Sequence, residues 1–63
     1  MKAIDNVDAA AAYIGKPPRT LSQWRYLGKG PKYIKLEGGS IRYRKVDVDE
    51  WLERNTIQPG SAA

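Results

Sequence analysis

Apolar residues recur at Val7, Ala10, Ala11 and Ile14, a helical spacing that predicts one short amphipathic helix. Asn6 is a suitable N-cap, Asp8 places a carboxylate in the first turn, and Gly15 supplies the stop. The run Ala9 to Ala12 favours helix and lets a neighbouring element approach closely. Lys16-Pro17-Pro18 then opens a second helix, because proline suits the first helical position. That helix is predicted over Pro18 to Leu27 and closed by Gly28. Leu21 and Trp24 share one of its faces with Pro17 and Gly28. Arg19, Ser22, Gln23 and Tyr26 share the opposite face, flanked by Thr20 and Arg25. Two helices joined by a tight turn at Gly15 to Pro17 make a helix-turn-helix pattern.

After the breaker-rich stretch "GKGPKY" (Gly28 to Tyr33) the period changes from helical to alternating. Ile34, Leu36, Ile41 and Tyr43 read as the inward positions of two strands, and Tyr33, Lys35, Arg42 and Arg44 as the outward ones. Gly38-Gly39 offers the positive φ values that a tight hairpin turn demands. A third helix is predicted over Asp47 to Arg54, with acids at its N-terminal end and an apolar face of Val48, Trp51 and Leu52. Trp24, Trp51, Ile14, Leu21, Ile34, Leu36 and Tyr43 form one expected core, each large side chain contributing roughly 1.5–3 kcal/mol. The expected class is α+β, a small winged helix-turn-helix of three short helices and a two-stranded hairpin wing. One domain is expected over residues 1–54, followed by a flexible C-terminal tail over 55–63.

Composition narrows the chemistry. The 63 residues contain no cysteine and no histidine, which removes disulfides, ordinary zinc sites and the usual nucleophile–base pairs. Asp47, Asp49 and Glu50 lack the further ligands of a calcium loop. Neither an enzyme nor a cofactor is expected. No apolar run approaches the roughly 20 residues of a membrane span, and residues 1–5 carry no signal-peptide core, so a cytoplasmic location is the expectation.

Charge is segregated along the chain. Residues 16–45 hold nine Lys and Arg against Glu37 alone, whereas the flanks hold six acids against Lys2 and Arg54. A basic segment between acidic supports points to a nucleic-acid partner rather than to a mixed solvated surface. The second helix has the side chains for it. Arg forks onto guanine, Gln pairs with adenine, Ser and Thr bond bases or phosphates, and Tyr26 offers a phosphate bond or an apolar contact. The candidate recognition set is therefore Arg19, Thr20, Ser22, Gln23, Arg25 and Tyr26. Lys16, Lys29, Lys35, Arg42 and Arg44 are the candidate backbone and wing contacts. A basic edge strand that merely blocks aggregation is the competing reading of the hairpin.

The chain over roughly residues 5–53 resembles the excisionase/AlpA-type winged helix-turn-helix family, small relatives of the MerR DNA-binding domain. The matching pieces are Ala10-Ala11 with Tyr13-Ile14-Gly15, Pro18 through Leu21 with Trp24, and Gly28, Gly30-Pro31 and Tyr33. Ile41-Arg42-Tyr43 and Asp47-Val48-Asp49 with Trp51-Leu52 complete them. Pro17 departs from the family's usual capping Ser or Thr, and Val46 from the polar residue before the third helix. The resemblance implies a second helix in the major groove and a wing beside the backbone or minor groove. Without a long dimerisation helix, the expectation is a monomer that binds repeats in double-stranded DNA side by side, with an integrase or other recombinase as partner, in a bacterial host. Three functions follow as expectations: an excisionase that bends attachment-site DNA, a small promoter-binding regulator, or an interaction module whose basic face binds an acidic protein.

Overall fold

The computed structural model describes residues 1–60. Strand β1 (Ile4–Asp5) leads into α1 (Val7–Ile14) and α2 (Pro18–Leu27). Strand β2 (Ile34–Lys35), a turn over Glu37–Gly39, β3 (Ile41–Arg44) and α3 (Lys45–Arg54) follow. Three helices and an antiparallel sheet with a hairpin confirm the α+β winged helix-turn-helix class.

The helix boundaries arise where the local chemistry predicts them. The Asn6 side-chain oxygen accepts the Ala9 amide at 2.9 Å, and Gly15 ends α1 at φ 89°. Helix α2 starts at Pro18 after Pro17, which caps without a side-chain bond, and it ends on Gly28 at φ 73°. Ala10 and Ala11 are fully buried, so the small inner face of α1 lets it pack against α2 and β3.

Two elements depart from the sequence pattern. The N-terminal Ile4–Asp5 is a strand, pairing Ile4 with Arg44 and Asp5 with Tyr43, so the sheet has three strands in the order β1-β3-β2 rather than two. Two residues are too few to show alternation, which is why periodicity passes over them. Helix α3 begins at Lys45 instead of Asp47, because β3 runs directly into it. Val46 therefore lies inside the helix rather than before it. The first helical amide, Lys45 N–H, donates to Ala3 C=O at 2.8 Å, so the residue just before the new edge strand supplies part of the cap.

The core is smaller than the pattern suggests. Leu21, Tyr43 and Val48 are its largest fully buried side chains, with Ala10 and Ala11 beside them. Val7, Ile14, Trp24, Ile41 and Leu52 pack around that centre. Trp24 and Trp51 meet with ring centroids 5.1 Å apart, both half-buried. Ile34 is only half-buried and Leu36 is 44% exposed, so neither is a core residue.

Both differences at the hairpin have one cause. The turn closes through Leu36 N–H to Ser40 C=O at 2.8 Å, leaving a three-residue loop of Glu37, Gly38 and Gly39 with both glycines at positive φ. An odd loop pairs Ile34 with Arg42 and Lys35 with Ile41. Residues opposite one another across an antiparallel pair share a face. Lys35 thus lies on the Ile41–Tyr43 face, and Ile34 lies with Arg42 and Arg44. The sequence reading, which put Lys35 with Arg42 and Arg44, is one residue out of register for β2. The Tyr33 and Tyr43 rings, 6.2 Å apart on the inner face, agree with the observed pairing.

After Arg54, the Asn55 amide and the Thr56 hydroxyl close the last turn of α3, the latter to Leu52 C=O at 2.9 Å. Residues 61–63 of the expected tail lie outside the described residues.

Candidate nucleic-acid interface

Helix α2 turns Leu21 inward and leaves Arg19, Ser22, Gln23 and Tyr26 exposed, Tyr26 to 89%. Among the described residues no side-chain hydrogen bond or ion pair engages Arg19, Gln23 or Tyr26. These three are free to reach a ligand without unmaking the fold. Thr20 and Arg25 flank them, both half-buried.

Arg25 is held in place. Its Nη1 donates to the Tyr43 hydroxyl at 3.0 Å and its Nη2 to Ser22 Oγ at 2.9 Å. The guanidinium carbon lies 5.7 Å from the centre of the Tyr33 ring. The bond to Tyr43 satisfies a phenol that is otherwise buried, and it ties α2 to β3. Ser22 is therefore exposed but already an acceptor.

The basic residues outside α2 fall into separate places. Lys16 is exposed in the turn between α1 and α2, and Lys29 in the linker after α2. Lys35 is exposed on the same side of the hairpin as Tyr33 and Tyr43. Arg42, half-buried, is on the other side, where its Nη1 donates to its own Ile41 carbonyl at 2.8 Å. Arg44 Nε is paired with Asp47 Oδ2 at 2.6 Å, and Asp47 is 8% exposed. Arg44 thus supports the start of α3, as the residue at its N-cap position.

The linker from Gly28 to Tyr33 adds a feature that the pattern of helices and strands does not reveal. With Arg25 it encloses a shallow notch of about 350 Å³, lined also by Lys29 and Lys32. Gly30 shapes it. Its φ of +90° strains any L side chain, and a would-be Cβ would press on the Trp24 side chain at 3.0 Å. The alternation of Lys with Gly and Pro in "GKGPKY" was the available sequence signal for Lys32.

A polar cluster also joins α1 to α3. The Tyr13 hydroxyl donates to Asp49 Oδ1 at 2.6 Å, and Lys45 Nζ bonds Asp49 Oδ2 at 2.8 Å. The Lys45 bond, followed by the Tyr13 bond, holds the Asp49 carboxyl below its ordinary value, and Asp49 in turn raises Lys45. Asp5 is also held low, by the backbone amides of Lys2 and Asn6. These acids hold local contacts of the fold, Asp49 between α1 and α3 and Asp5 at the start of α1. Among the described residues no three His, Cys, Asp or Glu side chains gather as a metal site, and no helix is long and apolar enough to cross a membrane.

No curated protein matches the chain. A model of the helix-turn-helix domain family, the AlpA/excisionase type, matches residues 6–56, which span α1 through α3 and the hairpin between them. With that match and a free polar face on its second helix, the chain belongs to this family of DNA-binding helix-turn-helix domains.

Proposed function

We propose that this protein is an architectural excisionase, which binds short repeats in attachment-site DNA, bends them, and so helps an integrase remove an element. The observation that carries the reading is the pairing of a free recognition face with cations on both sides of the hairpin. Arg19, Gln23 and Tyr26 on α2 supply base and groove contacts. Lys35 and Arg42 supply charge on opposite sheet faces, so a duplex following α2 meets cations on either side of the wing. Charge placed that way favours drawing the flanking DNA toward the protein, and bending needs such contacts to offset roughly 1–6 kcal/mol of elastic cost. The protein acts by occupancy rather than by catalysis, on DNA in the cytoplasm of a bacterial host. One copy gives limited affinity, so several copies sit side by side on repeats. Regulation of a promoter through the same surface is the second reading, favoured by the resemblance alone.

Selection of bound duplexes from a random pool, followed by a bending assay, tests the proposal. The expected result is a short consensus whose mobility depends on its position in the fragment. A consensus bound without bending, found over promoters and absent from attachment sites, favours the regulator. No selected consensus at all defeats both.

A further inference from the structure

The cations nearest α2 are not evenly spread, and one group is built rather than scattered. Arg25, Lys29 and Lys32 surround the notch between the end of α2 and the start of the hairpin, with no acid among its lining residues. Arg25 is fixed from three directions, by Tyr43, Ser22 and the Tyr33 ring. Its guanidinium carries more N–H donors than those two bonds use. Its remaining donors are thus available without a rotamer search, the condition under which a planar fork binds a tetrahedral oxyanion best. The linker wall is equally fixed, because Gly30 is packed on Trp24 and Lys29 N–H is bonded to Trp24 C=O at 2.8 Å. Lys29 and Lys32 are exposed and bring mobile charge to the rim.

We propose that this notch is a preformed seat for one phosphodiester of the DNA backbone. It sets how far α2 slides along the groove, and it is separate from the contacts of Arg42 on the other side of the sheet. Arg25 is then a phosphate ligand, not a reader of bases, and Lys32 joins the interface. The inference rests on the DNA-binding reading above. An acidic protein segment is the competing occupant, because carboxylates offer similar charge.

The test uses the duplex chosen by pool selection, with single phosphates replaced in turn by neutral methylphosphonates. Wild-type protein should lose roughly tenfold in affinity when the seated phosphate is replaced, the effect of one charge-assisted hydrogen bond. For Lys32→Gln and Lys29→Gln/Lys32→Gln, whose folds circular dichroism should show intact, replacing that same phosphate should cost about two- to fivefold less than in wild type, because Arg25 still holds it while the rim charge that couples to it is gone. Arg25→Lys should show the same loss of coupling, and the exposed lysine variants keep the test decisive if Arg25→Lys is unstable. An interference pattern identical in wild type and in the lysine variants overturns the proposal while leaving DNA binding in place. Failure of wild-type protein to bind any selected duplex overturns both readings. Binding of a poly-glutamate peptide that is lost in Lys32→Gln, with DNA binding unaltered, assigns the notch to a protein acid and overturns the phosphate seat.

Discussion

Helix α2 and the β2–β3 hairpin are the two arms of the proposed interface, and they keep their candidate side chains in different states. The α2 readers are free, because its inner face alone satisfies the fold through Leu21 and Trp24. On the hairpin, Lys35 is comparably free, whereas the arginines and tyrosines also hold the structure. Arg44 is committed to Asp47, Arg42 leans on its own strand's carbonyl, and Tyr43 is buried with its hydroxyl taken by Arg25. A helix of this length has separate faces to divide between core and ligand. A ribbon of two-residue and four-residue strands has too few positions for that division. On the proposed reading, bases are read by α2, and the hairpin offers charge and position.

The comparison is most severely challenged in the core that both arms share. Leu21→Ala, on the helix side, should cost about 2–5 kcal/mol, enough to unfold a domain of this size. Tyr43→Ala, on the hairpin side, should do the same and also free Arg25. Urea unfolding followed by circular dichroism checks both. If Tyr43→Ala loosens only the hairpin and leaves α2 folded, the two arms are independent and the shared-core account fails.

Next in size is the division of labour on DNA. Arg19→Ala and Gln23→Ala should each cost about 1–3 kcal/mol at one base position and relax selectivity there. Arg42→Ala should weaken every sequence alike and lower the salt slope by about 0.9. Affinity measured on matched and mismatched duplexes at several salt concentrations separates the two patterns. Uniform weakening by Arg19→Ala would make α2 a backbone contact like the wing.

Arg44 sharpens the contrast within the hairpin. Arg44→Ala should cost about 1 kcal/mol of stability, since it leaves the buried Asp47 carboxylate without its partner. Its effect on the salt slope should be smaller than that of Arg42→Ala. Thermal melting and salt titration of the two single variants decide it. A larger slope change from Arg44→Ala would mean that the Asp47 pair opens on DNA.

The smallest effect lies in the polar cluster between α1 and α3. The Asp49 carboxyl is depressed below its ordinary 3.8 by Lys45 and Tyr13, so its contribution is present above that value. It is lost as pH falls through the lowered folded-state value. Lys45 is raised above 10.5, so its side of the same cluster persists below that pH and disappears only at still higher alkalinity. Asp49→Asn should therefore lower the melting temperature modestly at neutral pH, and the gap to wild type should close on acidification below about pH 4. A gap that is constant with pH would show that the cluster acts through packing. DNA affinity at neutral pH should not change.

The chain's local chemistry determines α1, α2 and their turn almost to the residue. Helical phase follows from bond geometry, and the Asn6, Gly15, Pro18 and Gly28 signals mark the ends. The outward set on α2 was legible for the same reason. Faces of a short strand are different, since they depend on the length of the turn, and "EGGS" permits an even or an odd loop. Only the formed hairpin settles that Lys35 sits with Tyr43 rather than with Arg42. The β1 pairing, the start of α3 at Lys45 and the fixing of Arg25 by Tyr43 also join residues distant in sequence. Such contacts leave no period in a single chain. They exist only once α1 and α2 have packed on the sheet and brought those partners within hydrogen-bonding distance.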